Sequence, residues 1–326
     1  MLMLWMQQYN VAVGSSALDA NTTASHNTAV GTSALTANTT GSENTAMGSS
    51  ALAAVTTGNY NVAIGDEAGA ALVSGTENTF MGFLSGRYTG SADHPDYNAG
   101  FGARSLYANT TGEKSVAMGA YALSGQTTGG NNTGIGYAAG DAITTGSTNI
   151  CIGNYTDPSA NNSSGQIAIG YNVTCTANAT VTIGYGSDTA SLSLDGSDTS
   201  WAATSDIRLK DNVEDSLAGL DFINELRPIT YKWKAKKDVP SDMPEYDDGS
   251  DEPCKGTGKT NHGFVAQEVK AVIDKYDSVK DGHNIWQEED SGTQTLAPSA
   301  LMPMMVKAVQ ELSAEVEELK KQLENK

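Results

Sequence analysis

The segments Asn27-Thr28-Ala29-Val30-Gly31 and Asn61-Val62-Ala63-Ile64-Gly65 carry the same pattern. Each consists of an asparagine, a β-branched residue, a small residue, a large apolar residue and a glycine. The glycine that ends the pattern recurs at Gly14, Gly31, Gly48, Gly65, Gly82, Gly102, Gly119, Gly136, Gly153, Gly170 and Gly184. Successive glycines are 17 residues apart, except for one interval of 20 and one of 14. Spacing this regular predicts a solenoid in which each repeat forms one coil.

Within one repeat, the pattern predicts a short β-strand followed by a turn. Thr28 and Val30 face one side of such a strand and Ala29 the other, because side chains alternate across a strand. The large apolar residues then stack into a ladder formed by Val13, Val30, Met47, Ile64, Met81, Phe101, Met118, Ile135, Ile152, Ile169 and Ile183. A coil this thin buries little apolar area for the backbone entropy that it loses. We therefore expect several chains to pack side by side, with three as the natural number for a fibre.

The distribution of charge divides the chain of 326 residues near residue 204. The first 204 residues contain 3 basic and 13 acidic side chains, whereas the remaining 122 contain 16 basic and 25 acidic ones. We predict a mostly β repeat solenoid over residues 1–200, a small α+β domain over residues 201–299 and a coiled-coil helix over residues 300–326. Within the α+β domain, leucine and isoleucine recur at helical spacing between residues 217 and 226, before Pro228, which predicts a helix there.

Composition also restricts the partners and cofactors. The net charge is −19, with 19 basic against 38 acidic residues, which argues against nucleic acid or an anionic membrane as the main partner. No apolar run reaches the roughly 18 residues that span a bilayer, and the first six residues are too short and uncharged for a secretion signal. The three cysteines form no CxxC pair, and the acidic run at residues 247–252 lacks the ligand order of a calcium loop. We expect no membrane insertion, no cofactor and no metal site.

The C-terminal segment contains one apolar seam with alternating spacings of three and four residues. Its members are Met302, Met305, Val309, Leu312, Val316, Leu319 and Leu323. Such a seam predicts a coiled coil. Valine at the a positions and leucine at the d positions by themselves favour a parallel dimer. We nevertheless expect a trimer, because a three-chain solenoid must share its axis with this helix.

The 20-residue interval between Gly82 and Gly102 contains an insertion rich in aromatic and charged side chains. Arg87, Tyr88, His94 and Tyr97 are the candidates for contact with a receptor. The alternative is a solvated loop without a binding role, since insertions in repeat proteins commonly lie at the surface.

Ser205 and Lys210 are five residues apart at the start of the charged second part. A lysine that is desolvated loses its proton and can accept one from a serine hydroxyl, so the two residues could form a hydrolytic dyad. Alternatively, Ser205 is a turn or cap residue and Lys210 a solvated surface charge. The spacing alone does not distinguish these interpretations.

Two resemblances bear on this choice. The Asn-Thr-Ala-Val-Gly and Ser-Ala-Leu repeats resemble the head repeats of trimeric bacterial adhesins and the shafts of phage tail fibres. A bacterial surface adhesin should carry a secretion signal and a membrane-anchoring barrel. We recognise neither feature in this sequence, so we expect a phage fibre. The C-terminal part resembles the intramolecular chaperone auto-processing domain of the endosialidase type, which ends many phage tail fibres and tail spikes. The resemblance rests on the segments Ser205 to Val213, Leu226 to Trp233 and His262 to Val269, followed by the coiled coil.

The second resemblance implies a sequence of events. The family trimerises its stalk and then cuts itself just before the motif serine, which places the scissile bond between Thr204 and Ser205, with Ser205 as nucleophile and Lys210 as general base. It implies a self-cleaving serine endopeptidase with a single turnover and a homotrimeric tail-fibre protein of the virion, folded in the host cytoplasm. The expected external partner is a receptor on the host-cell surface, for which we expect a glycan. The alternative is an uncleaved receptor-binding adhesin tip with an inactive chaperone domain. A polysaccharide-degrading spike ranks last, because the sparse acids of residues 1–204 offer no convincing pair.

Overall fold

The computed structural model describes residues 9–87, 96–194, 202–203, 205–280, 285–289 and 292–325. The chain divides into two compact units, Met1–Leu209 and Lys210–Lys326. No helix in the described ranges combines the length and the apolar character needed to cross a membrane. The predicted fold class is confirmed. The chain forms a repeat solenoid, followed by a small α+β region and a long terminal helix.

The first unit is a solenoid of short parallel strands in sequence order. Within the described residues, one continuous sheet contains β1 to β13. Its strands are β1 (Val11–Val13), β2 (Thr28–Val30), β3 (Thr45–Met47), β4 (Val62–Ile64), β5 (Thr79–Met81), β6 (Ala99–Phe101), β7 (Val116–Met118), β8 (Thr133–Ile135), β9 (Ile150–Ile152), β10 (Ile167–Tyr171), β11 (Thr180–Tyr185), β12 (Asp188–Ser193) and β13 (Ala202–Ala203). Equivalent residues of neighbouring repeats pair directly, as Ala29 with Ala46 and Val30 with Met47 do. The repeat spacing of the sequence is therefore the register of the sheet.

The interior of each coil is narrow and contains two kinds of side chain. The middle residue of the strand points inward and is small at most positions, as at Ala29, Ala46 and Ala63, which are fully buried. A leucine of the following turn, such as Leu35, fills the remaining space. The asparagine before the strand is also buried, and its side-chain oxygen accepts the backbone N–H of the equivalent residue in the next coil, as Asn27 does from Asn44 at 2.9 Å. Stacked amides thus satisfy the backbone where the turn interrupts the sheet.

The large apolar ladder lies on the outside of the coil. Met47, Met118 and Ile135 are 43%, 47% and 37% exposed in the single chain. The strand residue directly before each of them, an alanine or a glycine, is buried. Gly31 ends its strand with φ +138°, and a Cβ there would collide with the carbonyl oxygen of Gly48 in the next coil. The glycine is needed because the coils stack this closely at the corner.

The solenoid ends in antiparallel strands. β11 still pairs in parallel with β10, but β12 turns back along β11, and β13 pairs with β12 through Ser191 opposite Ala202 and Ala190 opposite Ala203. This meander covers the last parallel edge, which would otherwise present unpaired backbone groups.

The second unit is a small α+β fold with its own core. Its elements are α1 (Leu220–Glu225), β14 (Ile229–Tyr231), β15 (Asn261–Gly263), α2 (Ala266–Ile273), α3 (Asp277–Lys280), β16 (Trp286–Glu288), β17 (Gln294–Leu296) and α4 (Met302–Glu324). β14 pairs antiparallel with β15, and β16 with β17. The core contains Phe222 of α1 together with Val269 and Ile273 of α2. The predicted helix before Pro228 is present, but it begins at Leu220, and Leu217 is 80% exposed.

Candidate functional site

The candidate cleavage point follows directly on the last strand of the solenoid. The backbone of β13 is held by β12 through two residue pairs, and Ser205 follows β13 after one residue. Thr204 lies outside the described residues, so the predicted scissile bond is located only by its neighbours. The chain therefore leaves the solenoid as the edge strand of its sheet, immediately before the predicted scissile bond.

A short turn separates the two predicted catalytic residues. Residues Ile207–Leu209 form one turn of 3₁₀ helix. Arg208 donates hydrogen bonds from Nε and Nη2 to the carboxylate of Asp206, at 3.0 and 2.6 Å, and its backbone N–H donates to the same carboxylate at 2.9 Å. These bonds from Arg208 lower the pKa of Asp206 below its usual value. The Asp206–Arg208 pair thus stabilises the turn that follows Ser205.

Both predicted catalytic residues are exposed in the single chain. Ser205 lies at the end of the first unit, and Lys210 is the first residue of the second. Their pairing as a dyad stays a prediction. A serine and a lysine that are exposed to water in one chain need a further layer of protein around them before the lysine can be desolvated.

The helix that follows this segment is tied to the terminal helix. The carboxylate of Glu311 in α4 accepts the backbone N–H of Leu220, the first residue of α1, at 2.7 Å. A side chain at Gly219 would collide with that carboxylate, which explains the glycine before the helix. At the other end of α1, Glu225 forms an ion pair with Lys275 and accepts a hydrogen bond from the hydroxyl of Tyr276 at 3.0 Å. These bonds hold α1 against its neighbours in the same unit.

The terminal helix has two faces with different environments. Ala308 is buried, as is Leu301 directly before the helix, and Met304 packs on the core of the second unit. The predicted coiled-coil seam lies on another face and is exposed along its length, at Met302, Met305, Val309, Leu312, Val316, Leu319 and Leu323. An apolar stripe of this length on a described helix marks an interaction surface. Its pairing as a coiled coil stays a prediction.

The predicted receptor loop is described only at its two ends. Arg87 pairs with the carboxylate of Glu67 in the neighbouring coil, and Tyr97 is 52% exposed with φ +61°. Tyr88 and His94 lie outside the described residues. A receptor contact by these four residues therefore remains a prediction.

The buried cysteine Cys151 of the solenoid is poorly suited to thiol chemistry. Burial raises the pKa of the Cys151 thiol far above its usual value, which makes a reactive thiolate inaccessible at neutral pH. Among the described residues, no group of three or more histidine, cysteine, aspartate or glutamate side chains is arranged to hold a metal ion.

Sequence reasoning missed three features that the structure shows. The Asp206–Arg208 pair is visible in the sequence only as two opposite charges two residues apart. The bond between Glu311 and Leu220 joins residues 91 positions apart, so no local pattern reveals it. A row of tyrosines along the later coils becomes visible when the repeats are aligned on their glycines, because the tyrosines follow these glycines by one or two residues.

Comparison with known proteins adds one match. Residues 205–277 match the family model described as chaperone of endosialidase, and the match begins at Ser205. No curated protein and no solved structure matches the chain significantly. The match supports a trimerisation chaperone domain of a peptidase-related type. With the β-solenoid before it, this domain fits a tail-fibre-type protein with a C-terminal chaperone domain.

Proposed function

We propose that this chain is a homotrimeric phage tail-fibre segment for host adhesion, part of the virion, whose C-terminal domain assembles three copies and is then released by its own cleavage. The observation that carries the proposal is the family match, which starts at the residue after the expected scissile bond. The solenoid supplies the fibre, and residues from Ser205 onward supply the assembly domain.

Assembly into a trimer follows from two exposed apolar surfaces within the chain. The seam of α4 is uncovered in the single chain, and so is the outer ladder of the solenoid, in which Met81 and Ile152 are each 37% exposed. Each surface becomes buried when like chains pack against one another, and the burial of apolar area stabilises the assembly. The family match favours three chains over the two that valine and leucine in the seam favour by themselves.

The proposed cleavage needs only groups of the chain itself and one water molecule. The neutral amine of Lys210 accepts the proton of the Ser205 hydroxyl, and Oγ of Ser205 bonds to the carbonyl carbon of Thr204. The bond between that carbon and the nitrogen of Ser205 then breaks, and the nitrogen takes the proton back from Lys210. The product is an ester between Thr204 and the Ser205 side chain. Water hydrolyses the ester to a carboxylate at Thr204 and a free hydroxyl at Ser205.

Assembly provides the condition under which Lys210 can act as a base. Lys210 is exposed in the single chain, and a lysine can act as a general base only after it has lost its proton. Packing of three chains around this segment removes water, which lowers the pKa of a lysine. We therefore propose that cleavage follows trimerisation and does not precede it.

The proposal is tested by denaturing mass spectrometry of freshly expressed full-length protein. We expect two fragments separated after Thr204, and one intact chain for Ser205→Ala and for Lys210→Arg, since arginine keeps the charge but does not give up its proton. Both variants should remain trimeric in sedimentation. Ser216→Ala, which removes a hydroxyl from the same segment, is the control and should be cleaved normally. Cleavage of the Ser205→Ala variant would show that another residue is the nucleophile.

The alternative is a permanently attached receptor-binding tip whose chaperone domain is inactive. It predicts a single mass for the wild-type protein and a trimer that retains residues 205–326. The same mass spectrum therefore decides between release and retention of the domain.

A further inference from the structure

The segment between Leu209 and α1 is exposed along most of its length in the single chain. We call residues 211–217 the arm, which has the sequence Asp-Asn-Val-Glu-Asp-Ser-Leu. None of the seven residues belongs to a helix or a strand, and each is exposed. Val213 and Leu217 are 62% and 80% exposed, and they lie on the same side of the arm when it is extended, because side chains alternate along an extended chain. The arm therefore has apolar area that a partner can bury.

The arm is also acidic. Its charged residues are Asp211, Glu214 and Asp215, and it contains no lysine or arginine. None of these three carboxylates forms an ion pair with another described residue. A surface that suits the arm should therefore combine apolar side chains with positive charge.

An open groove lies on one face of the β14–β15 sheet. Thr230 is paired with His262 in the antiparallel register, so their side chains share a face of the sheet. These two residues line the groove together with Pro228, Phe264 and Pro298, and the volume of the groove is about 570 Å³. The groove thus presents two proline rings and one aromatic ring to an aliphatic side chain from outside the sheet.

The segments that contain these two strands are basic, although the whole chain has a net charge of −19. Residues 226–237 and 253–263 contain seven lysine and arginine side chains and no acidic residue. Four of the seven form ion pairs with carboxylates of the same chain. Lys232 and Lys234 follow Thr230 at alternate positions, are exposed, and form no ion pair with a described residue. Positive charge that the described part of the chain does not neutralise therefore follows directly on the strand that lines the groove.

We propose that the arm of one chain docks in the β14–β15 groove of a second copy, with its aliphatic side chains in the groove and its carboxylates beside Lys232 and Lys234. The inference rests on the assembly of like chains in the proposed function. The arm and the groove belong to the same unit, and both stay open in the single chain, so the occupant of the groove is another copy. A contact between two different surfaces of identical chains closes into a ring when the rotation between chains is that of the trimer. Three arms then fill three grooves.

The docking also gives assembly a local effect on the proposed cleavage. Lys210 directly precedes the arm, so an arm held by a second chain brings Lys210 to the boundary between two chains. Water is removed from such a boundary only after assembly, and removal of water is what a lysine needs to act as a base. The arm and the groove are thus the surfaces through which a neighbouring chain acts on the dyad.

A carbodiimide, which joins a carboxylate to a lysine amine in contact with it, tests this docking in the full-length protein. Two chains are co-expressed, both with Ser205→Ala so that the whole chain is retained. The first chain also carries Lys232→Arg and Lys234→Arg, which keep the charge but do not react. The second also carries Asp211→Asn, Glu214→Gln and Asp215→Asn. A link between arm and groove can then form only between the two chains. We expect peptide mass spectrometry to find it, and each chain expressed alone is the control that should give none.

The apolar part of the contact is tested in the same mixture. Val213→Ser combined with Leu217→Ser in the first chain should lower the yield of the link by roughly tenfold, since both changes remove apolar area from the groove. Ser216→Ala, a change at a position between them, is the control and should leave the yield nearly unchanged. A trimer in sedimentation that lacks the link, that links the arm only to other lysines, or whose yield does not respond to the double serine variant would overturn the docking and leave the proposed assembly intact. A single-chain species in sedimentation would overturn both.

Discussion

A single buried asparagine shows how the solenoid satisfies its backbone. The side-chain nitrogen of Asn61 donates to the carbonyl oxygen of Gly75 at 2.8 Å, and its side-chain oxygen accepts the backbone N–H of Asn78 at 3.0 Å. Asn61 therefore connects its own turn to the next coil. A short amide is suited to this position because it offers a donor and an acceptor on one side chain.

Asn61→Ala should destabilise the solenoid by about 2–6 kcal/mol, because it leaves two buried backbone groups without partners at roughly 1–3 kcal/mol each. The measurement is the denaturant midpoint of the solenoid followed by tyrosine fluorescence. The control is Asn154→Ala, since exposed Asn154 accepts one hydrogen bond, from the N–H of Tyr137 at 3.2 Å. Equal midpoints for the two variants would contradict the role of the buried amides.

The raised pKa of Asp157 leads us to expect that the stability of the solenoid depends on pH. This pKa is raised to about 6, mainly by burial; a hydrogen bond from the backbone N–H of Ala142 opposes this rise, and the charge of Asp141 adds to it. Between about pH 4 and the raised value, the folded protein binds the proton more readily than the unfolded chain, so this group makes the fold less stable as the pH rises.

Asp157→Asn should therefore stabilise the solenoid at pH 7 by on the order of 1 kcal/mol, a value reduced for solvent screening because the side chain is partly exposed. At about pH 4 the variant and the wild type should be equally stable. Thermal melting of both proteins between these pH values tests the difference. A gain that is the same at both ends of the range would mean that packing, and not ionisation, is responsible.

At the scale of secondary structure, the sequence predicted what depends on local periodicity. The repeated pattern around Asn27 and Asn61 predicted the strands and their register, because equivalent residues of identical repeats pair directly. The helix before Pro228 was predicted three residues too early. Leu217 continues the apolar spacing, but the helix begins at Leu220, whose N–H is bonded to Glu311. The start of α1 is set by a residue far along the chain, which local spacing does not reveal.

Contacts between segments without a local sequence pattern also limit what the sequence shows of the candidate site. Ser205 and Lys210 were singled out by a resemblance, and the family match supports the domain but not the dyad. The β12–β13 pairing that leads into Ser205 joins strands separated by eight residues of low apolar content, without a periodic signal. The exposure of both residues in one chain is a property of the fold and could not be read from their spacing.

Glu311→Ala should loosen α1, because the N–H of Leu220 loses its acceptor at the helix start, an effect of about 1 kcal/mol for a helix cap. Hydrogen exchange of the α1 amides should accelerate, while that of α2 should stay close to the wild-type rate. Glu311→Gln, which retains a side-chain oxygen as acceptor, is the matched variant and should exchange nearly as slowly as the wild type. Unchanged exchange in the alanine variant would show that packing alone holds α1.

For the whole molecule, the repeat creates a problem of registration between chains. Coils with nearly the same sequence can pair out of step by one repeat at little energetic cost, because the outer ladder presents similar residues at each step. An assembly domain at one end removes this ambiguity when it holds three chains before the solenoids pack. The exposed seam of α4 is the surface on which such holding depends in our proposal.

Leu312→Asp combined with Leu319→Asp should prevent trimer formation, because burying carboxylates in an apolar seam is unfavourable. Sedimentation velocity should show a single-chain species or aggregates of unregistered chains, and mass spectrometry of the same sample should show an intact chain, since the proposed cleavage follows assembly. Gln310→Asp combined with Ala314→Asp adds the same charge to the same helix outside the seam, at b and f positions, and should still give a cleaved trimer. A cleaved trimer from the seam variant would mean that the solenoid registers its own chains. A cleaved single chain would separate self-cleavage from assembly, and the proposed order of events would then be wrong.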